Sequence, residues 1–366
     1  MWNALAPGQQ RFIKFWVGGI VAIYVAIIVV ALFVISNEKQ QSKRNHALRM
    51  DPAKAEPGQT APDPLPATGN FVTVHTGMYV ENIETFSIRD LNWSANFYVW
   101  FRWQGSPELN PAGTMQLVDA TIDKRELVES YVGPDGTNYQ RVRITARMFK
   151  HFNTTRVPLD DHLMTIGMED SVHDASQLRY VADTASNISS RAKIPGYDVT
   201  GFETVVKGHT YKTSYGDPRF TNSSRKTFTK FVVGISVKRA SMGLYFKLLL
   251  GLFAGILLTF ASFFVRPSEG SRFSFPTAAY FGAVANSYLT GQLLPPSGTF
   301  GLIDYVQGLG LFTISICLAA SLYSGIIYNI RKDETFSKML DRATRATILI
   351  VYVAANIALP FAAFSR

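Results

Sequence analysis

A membrane protein with an N-terminal spanning helix, a water-facing β-sandwich and a C-terminal bundle of four transmembrane helices is the fold class that the sequence predicts. Three observations lead there. The 366 residues are 47% apolar and only 17% charged, with mean hydropathy +0.07: too oily for an ordinary water-soluble domain, too charged for a chain lying wholly in lipid. Five long apolar runs occur, one near the N-terminus and four in the last third. Between them, about 170 residues alternate apolar and polar side chains in short stretches, which is strand chemistry.

A spanning helix needs about 20 apolar residues, and residues 15–35 supply 21 without a charge, after a short N-terminal segment (1–14) that reads as cytoplasmic. A secretory signal peptide is the alternative, because Arg11 and Lys14 precede the run. The core is long for a signal and no A-x-A site ends it, so the run reads as a retained anchor. Residues 36–69 follow as a tether whose second half, DPAKAEPGQTAPDPLPATG, is rich in Pro, Ala and Gly. The sandwich spans 70–240. Its strands read at VTVHTGMYV, FSI and NFYVWFRW, then at HLMTIGME, QLRYVAD, TGFETVVK and TKFVVGISV. The turn VGPDGT at 132–137 joins LVESYV and YQRVRITARMF as a hairpin. The membrane bundle spans 241–366, with runs at 248–265, 273–294, 305–328 and 346–364.

Charge and composition exclude several functions. The net charge is +9, but residues 70–240 hold 20 Lys/Arg against 18 Asp/Glu, so most of the excess lies at the termini and between apolar runs. That distribution belongs to cytoplasmic membrane loops rather than to a nucleic-acid surface. With the N-terminus inside, nine basic residues stand inside against five outside, which places the sandwich on the extracellular or periplasmic side of a cell membrane, the bacterial inner membrane being the expected one. The single cysteine, Cys317, lies in an apolar run and reads as packing. No metal-ligand spacing appears among the six His, His162 reading as a surface strand neighbour. No nucleophile elbow, phosphate loop or Rossmann fingerprint occurs either. An enzyme, a cofactor and a metal are not expected.

Several segments, taken in order, carry a family resemblance. Residues 74–103, VHTGMYVENIETFSIRDLNWSANFYVWFRW, close on Trp103. Arg156-Val157-Pro158-Leu159-Asp160 has the form of an F-P-x-D loop with Val157 for the aromatic. Residues 195–202, PGYDVTGF, precede the last hairpin, and Arg239 precedes the first helix of the bundle. From Arg272, Leu294-Pro295 follows after 22–23 residues and Ile303-Asp304 after 31–32. This order resembles the pentameric ligand-gated ion channels, the Cys-loop receptor superfamily, in its prokaryotic type lacking the loop disulfide. The resemblance covers about 70–366. The chain departs from the family in the short stretch from Trp103 to Asp119, in Gly251 and Gly255 where a proline is usual, and in the extra N-terminal span.

The resemblance implies a homopentamer whose pore is lined by the helix 273–294, the one run of mildly polar character. At helical spacing one face carries Ser274, Ala278, Phe281, Ala285, Leu289 and Gln292. Phe281 and Leu289 would form apolar rings that gate by excluding water. Pro276 suits a first turn and sets the expected helix start near Ser274. A ring of Glu269 at the cytoplasmic mouth would favour cations, with Arg266 and Arg272 opposing it. A packed interior helix using small residues for close approach is the alternative. Aromatic residues expected at a ligand site are Tyr180, Tyr211, Tyr215, Phe220 and Trp100, with surface packing as the bland alternative. Asp90, Asp160 and Arg239 resemble the charged cluster that couples the two domains. The expected stimulus is a small-molecule agonist or protons, and the expected cargo is inorganic ions. A non-conducting membrane receptor or envelope scaffold is the rival function.

Overall fold

The computed structural model describes residues 2–63, 69–213, 226–295 and 298–364. The chain divides into two units. Met1–Lys39, Thr154–Asp160 and Ser241–Arg366 form one, and Gln40–Asn153 with Asp161–Ala240 form the other.

The helical unit opens with α1 (Pro7–Met50), whose proline occupies the first helical position, where no amide hydrogen is needed. In this unit α1 buries Ile13, Ile20, Tyr24, Ala31 and Ile35. Their seven-four spacing makes a narrow seam of the coiled-coil kind. Polar contacts fix it along its length. The Tyr24 hydroxyl pairs with Thr313, the Trp16 indole donates to Thr344 at 3.0 Å, and Gln9 donates to Asp333 at 2.6 Å. Lys39 donates to the carbonyl of Phe364 at 2.7 Å. Phe15, Val25, Val29 and Phe33 face outward and stay exposed, as on a lipid-facing helix. The helix also takes in residues 36–50 of the expected tether. Those residues contain no Gly or Pro and are rich in Glu, Lys, Gln and Arg, all good helix formers. Pro52 disfavours helical backbone at Asp51 and ends the run there.

Four helices follow: α3 (Gly243–Ala261), α4 (Ser271–Gly291), α5 (Leu302–Asn329) and α6 (Glu334–Ala363), the short α2 lying earlier in the chain at Pro111–Thr114. Asp333 caps α6, its carboxylate accepting from the Phe336 amide at 2.9 Å. By length and composition, four helices among the described residues can cross a membrane: α1, α3 with its extension to Phe264, α5 and α6. The expected fifth, α4, falls short, because Ser274, Thr277, Asn286, Ser287 and Thr290 dilute its apolar residues. It packs on α3 through Gly255, where a Cβ would come within 3.3 Å of the Ala279 carbonyl. This small-residue contact accounts for glycine standing where a proline was expected.

Arg272 is fully buried at the start of α4 and pairs with Asp341 of α6 at 2.7 Å, its guanidinium carbon 5.6 Å from the Phe263 ring centroid. The seven residues Thr154–Asp160 also belong to this unit. Leu159 joins its apolar core, and the Thr155 carbonyl accepts from the Leu302 amide at 2.7 Å, at the start of α5.

The second unit is a sandwich of two sheets. One holds β4 (Ala120–Val132), β5 (Asn138–Phe149), β2 (Asn92–Trp103), β1 (Val72–Ser87) and β7 (Leu178–Ala182) in that order, with β8 (Asn187–Ile188) also on β1. The other holds β3 (Met115–Val118), β6 (Asp161–Asp170), β10 (Thr227–Arg239) and β9 (Tyr197–Thr210). The β4–β5 hairpin forms around the expected turn, Val132 opposite Asn138. Phe97, Val99, Phe101 and Trp103 of β2 point into the core against Met164 and Ile166 of β6 and Phe231 and Val233 of β10. His162 is not a surface neighbour. It is buried in a ring cluster with Phe86, Phe152 and Tyr197 at 5.1–6.2 Å between centroids.

The Arg272–Asp341 pair yields a stability prediction. Asp341→Ala leaves a buried guanidinium uncompensated and should lower stability by about 3–5 kcal/mol. Replacing both, Arg272→Met with Asp341→Leu, should recover most of it. Thermal unfolding of the detergent-solubilised chain checks this, with the exposed Lys338–Glu334 pair as control. Equal effects at Asp341 and Glu334 would contradict it.

Candidate pore face and ligand pocket

The face expected to line a pore is uncovered among the described residues. Ser274, Ala278, Phe281, Ala285, Leu289 and Gln292 are all exposed, Phe281 at 69%. Arg272, Pro276, Ala279, Ala283 and Thr290 are buried on the opposite side. Val284 and Tyr288 widen the open surface, and Tyr280 adds to it at 40%. The inward side is fixed by polar contacts. Asn286 donates to the Leu248 carbonyl at 3.0 Å, and Gln307 of α5 donates to the Thr290 hydroxyl. The helix starts at Ser271, three residues before the expected start, so Pro276 lies inside it rather than in the first turn. The buried Arg272 pins this extra segment by its ion pair with Asp341. Glu269 stands exposed just before the helix.

On the sandwich, a cavity of about 680 Å³ lies on the outward face of the six-stranded sheet. Its walls follow from strand alternation and register. Tyr98, Trp100 and Arg102 are the outward residues of β2, with Tyr79 of β1 opposite Tyr98, and Arg141 and Tyr139 of β5 opposite Trp100 and Arg102. Gly77, opposite Trp100, gives the indole its place: a Cβ there would fall 2.2 Å from the Trp100 ring. The loop after β7 brings Asp183 beneath these groups. Its carboxylate accepts from the Trp100 indole at 2.8 Å and from Arg102 at 2.6 Å. Burial alone would raise the Asp183 pKa. The Trp100 indole N–H, the Ala185 amide and the Arg102 guanidinium outweigh it and hold the carboxyl below its ordinary value. Arg141 and Arg143 lie 5.7 and 5.6 Å from the Tyr98 ring centroid, within cation–π range.

The described aromatic residues expected at a ligand site, Trp100, Tyr180 and Tyr211, lie in three different places. Trp100 lines this cavity. Tyr180 is a core residue with 2% exposure, because β7 pairs with β1 in parallel register and sets it beside the inward-facing Val74. It has no route to a surface ligand. Tyr211 lies at the end of β9 on the other sheet, its hydroxyl donating to the buried Glu169 and its ring 4.4 Å from that of His209. Tyr215 and Phe220 lie outside the described residues. Of the coupling candidates, Asp90 sits on the exposed β1–β2 turn and accepts from Ser87 at 2.7 Å. Asp160 is buried next to Arg156, whose pKa burial lowers and Asp160 raises. Arg239 stacks over the Tyr197 ring at 3.9 Å and donates to its hydroxyl at 2.5 Å. Sequence reasoning missed Tyr79, Tyr98, Arg102, Tyr139, Arg141 and Asp183. The outward row of β2 was readable from alternation, but its partners required the sheet register.

No family model matches the chain, and no curated protein matches it.

Because folding depresses the Asp183 pKa, its stabilisation is complete above about pH 4, the ordinary aspartate range, and is lost as pH falls through the folded value. Asp183→Asn should cost about 1.5–3 kcal/mol at pH 7, the range for hydrogen bonds to a charged group, and the gap to wild type should narrow below about pH 4. Unfolding curves of both proteins across pH check it; a gap that stays constant into the acid range would contradict the assignment.

Proposed function

We propose that the chain is one subunit of a pentameric ligand-gated ion channel. The observation that carries this reading is the uncovered face of α4. A helix packed on α3 and α5 by one side only, whose open side mixes Ser274, Thr277 and Gln292 with apolar residues, suits the wall of a lumen with further subunits beside it. Five copies around an axis supply both, with Phe281 and Leu289 as apolar constrictions and Glu269 at the mouth favouring cations. Tyr280, Val284 and Tyr288 would then meet neighbouring subunits. The sandwich supports the same reading. Strand β4 is exposed along nearly its whole length, with Leu127, Val128, Tyr131 and Val132 uncovered, as a strand at a subunit boundary would be. The Trp100 pocket would form one wall of a ligand site at that boundary. The arginines over Tyr98 are already paired, Arg141 with Glu129 and Arg143 with Glu81, and they occupy the ring face that a bare ammonium group would use. The loop Thr154–Asp160, anchored through Leu159 and Thr155 in the helical unit, would pass the signal onward.

Phe281→Ser tests the reading without knowledge of the agonist. Five hydroxyls in place of five phenyl rings lower the cost of wetting the constriction, so liposomes carrying the variant should leak monovalent cations without stimulus. Tyr280→Ser, one position round the helix, should leave basal flux near the wild-type level. A folded, assembled Phe281→Ser protein that stays silent would overturn the pore assignment and favour a non-conducting receptor.

A further inference from the structure

A second, smaller cavity of about 160 Å³ lies elsewhere in the sandwich unit, where the end of α1 and the segment after it run along the four-stranded sheet. The segment is held by specific contacts. Lys207 of β9 donates to the Leu48 and Arg49 carbonyls at 2.7 and 3.2 Å, capping the helix C-terminus. Met50 packs on Gly234 of β10, where a Cβ would fall 2.7 Å from its sulfur, and the Asp63 amide donates to the Thr210 hydroxyl at 3.1 Å. Between the segment and the sheet, Arg49, Lys150 and Lys230 line the cavity with His151, Glu56 and Asp119.

Three Lys/Arg side chains face two carboxylates there. Glu56 is taken by Lys230 at 2.9 Å, in a pair whose side chains are only 15% and 6% exposed. Lys150 donates to the Leu163 carbonyl, a neutral partner. Burial, then the neighbouring Arg49 guanidinium, push its ammonium well below the ordinary value, with Glu56 pulling the other way. Asp119, exposed, is the remaining carboxylate on the wall. Cations drawn together out of water call for a compensating anion. We propose that this cavity binds a small oxyanion of the phosphate type, held by Lys150, Arg49 and Lys230, which fastens the α1 end and residues 51–63 to the sheet. The volume sets the class. It is well below the roughly 300–1,000 Å³ of pockets for drug-sized ligands, yet holds several water-sized volumes of about 30 Å³ each.

Two sources can supply a phosphate group, the free ion and an anionic lipid headgroup, and the test separates them. The full chain in neutral detergent is melted in increasing inorganic phosphate against chloride at matched ionic strength, then in nanodiscs of phosphatidylcholine with and without phosphatidylglycerol. A ligand that binds only the folded state raises the melting temperature with the logarithm of its concentration. Wild type should show that rise with phosphate, and protease cleavage within residues 51–63 should slow in parallel. Lys150→Met and Arg49→Gln should each lose both responses. Lys207→Met should keep them from a lower starting temperature, since Lys207 holds the helix end and not the anion. A response to phosphatidylglycerol alone, lost in Lys150→Met, assigns the site to a lipid headgroup. No response to either source, or responses that survive in Lys150→Met and Arg49→Gln, would overturn the proposal.

Discussion

A mildly polar helix packed on one side only is the constraint on which the helical half of this protein depends. Inside a bilayer an exposed polar group has no water to bond, so a mildly polar helix must be covered by protein or face a wet lumen. α4 meets half of that requirement within the chain. Gly255 lets it approach α3 closely, Asn286 and Thr290 satisfy polar groups on its inner side, and Arg272 locks its start to α6. The other side, which carries Ser274 to Gln292, is exposed and has no cover among the described residues. That open side mixes Phe281, Val284, Tyr288 and Leu289 with Ser274, Thr277 and Gln292.

The N-terminal helix shows a different logic. Its apolar run alone would serve as an anchor, but the Ile13–Ile20–Tyr24–Ala31–Ile35 seam and the contacts to Thr313, Thr344 and Asp333 make α1 an integral member of the helical unit. At its other end, Lys207 and Gly234 hold the last turn in the sandwich unit. A 44-residue helix is about 66 Å long at 1.5 Å per residue, more than the roughly 30 Å that a bilayer's hydrocarbon would take. The surplus is the part that carries Arg49 to the smaller sandwich cavity.

Much of the fold was legible in the sequence because period and composition report local environment directly. The β2 stretch NFYVWFRW announced its inward and outward rows, and the 132–137 turn fixed a hairpin whose register the structure reproduces. What failed to be legible depended on distant partners. Asp183 lies 81–83 residues from the Arg102 and Trp100 side chains it holds, and no local pattern marks it. Tyr180, an expected ligand-site aromatic, is turned inward by the parallel pairing of β7 with β1. His162, beside two aspartates in sequence, is enclosed by rings from three other segments. Residues 36–50 run into a Pro-rich stretch in sequence, although their own composition favours a helix. The start of α4 was displaced because Pro276 suggested a first turn while the buried Arg272 pair, invisible in sequence, extended the helix behind it.

The most direct measurement of the central claim is the native mass of the full chain released from membranes in mild detergent, read by native mass spectrometry after the detergent is stripped in the gas phase. The account requires the uncovered α4 face to be completed by copies of the same chain around an axis, so it predicts five subunits of 40.6 kDa each and no stable smaller species. A monomer or dimer that stays folded and soluble in detergent would contradict the proposed assembly, because the open face of α4 would then have no copies of the chain around it.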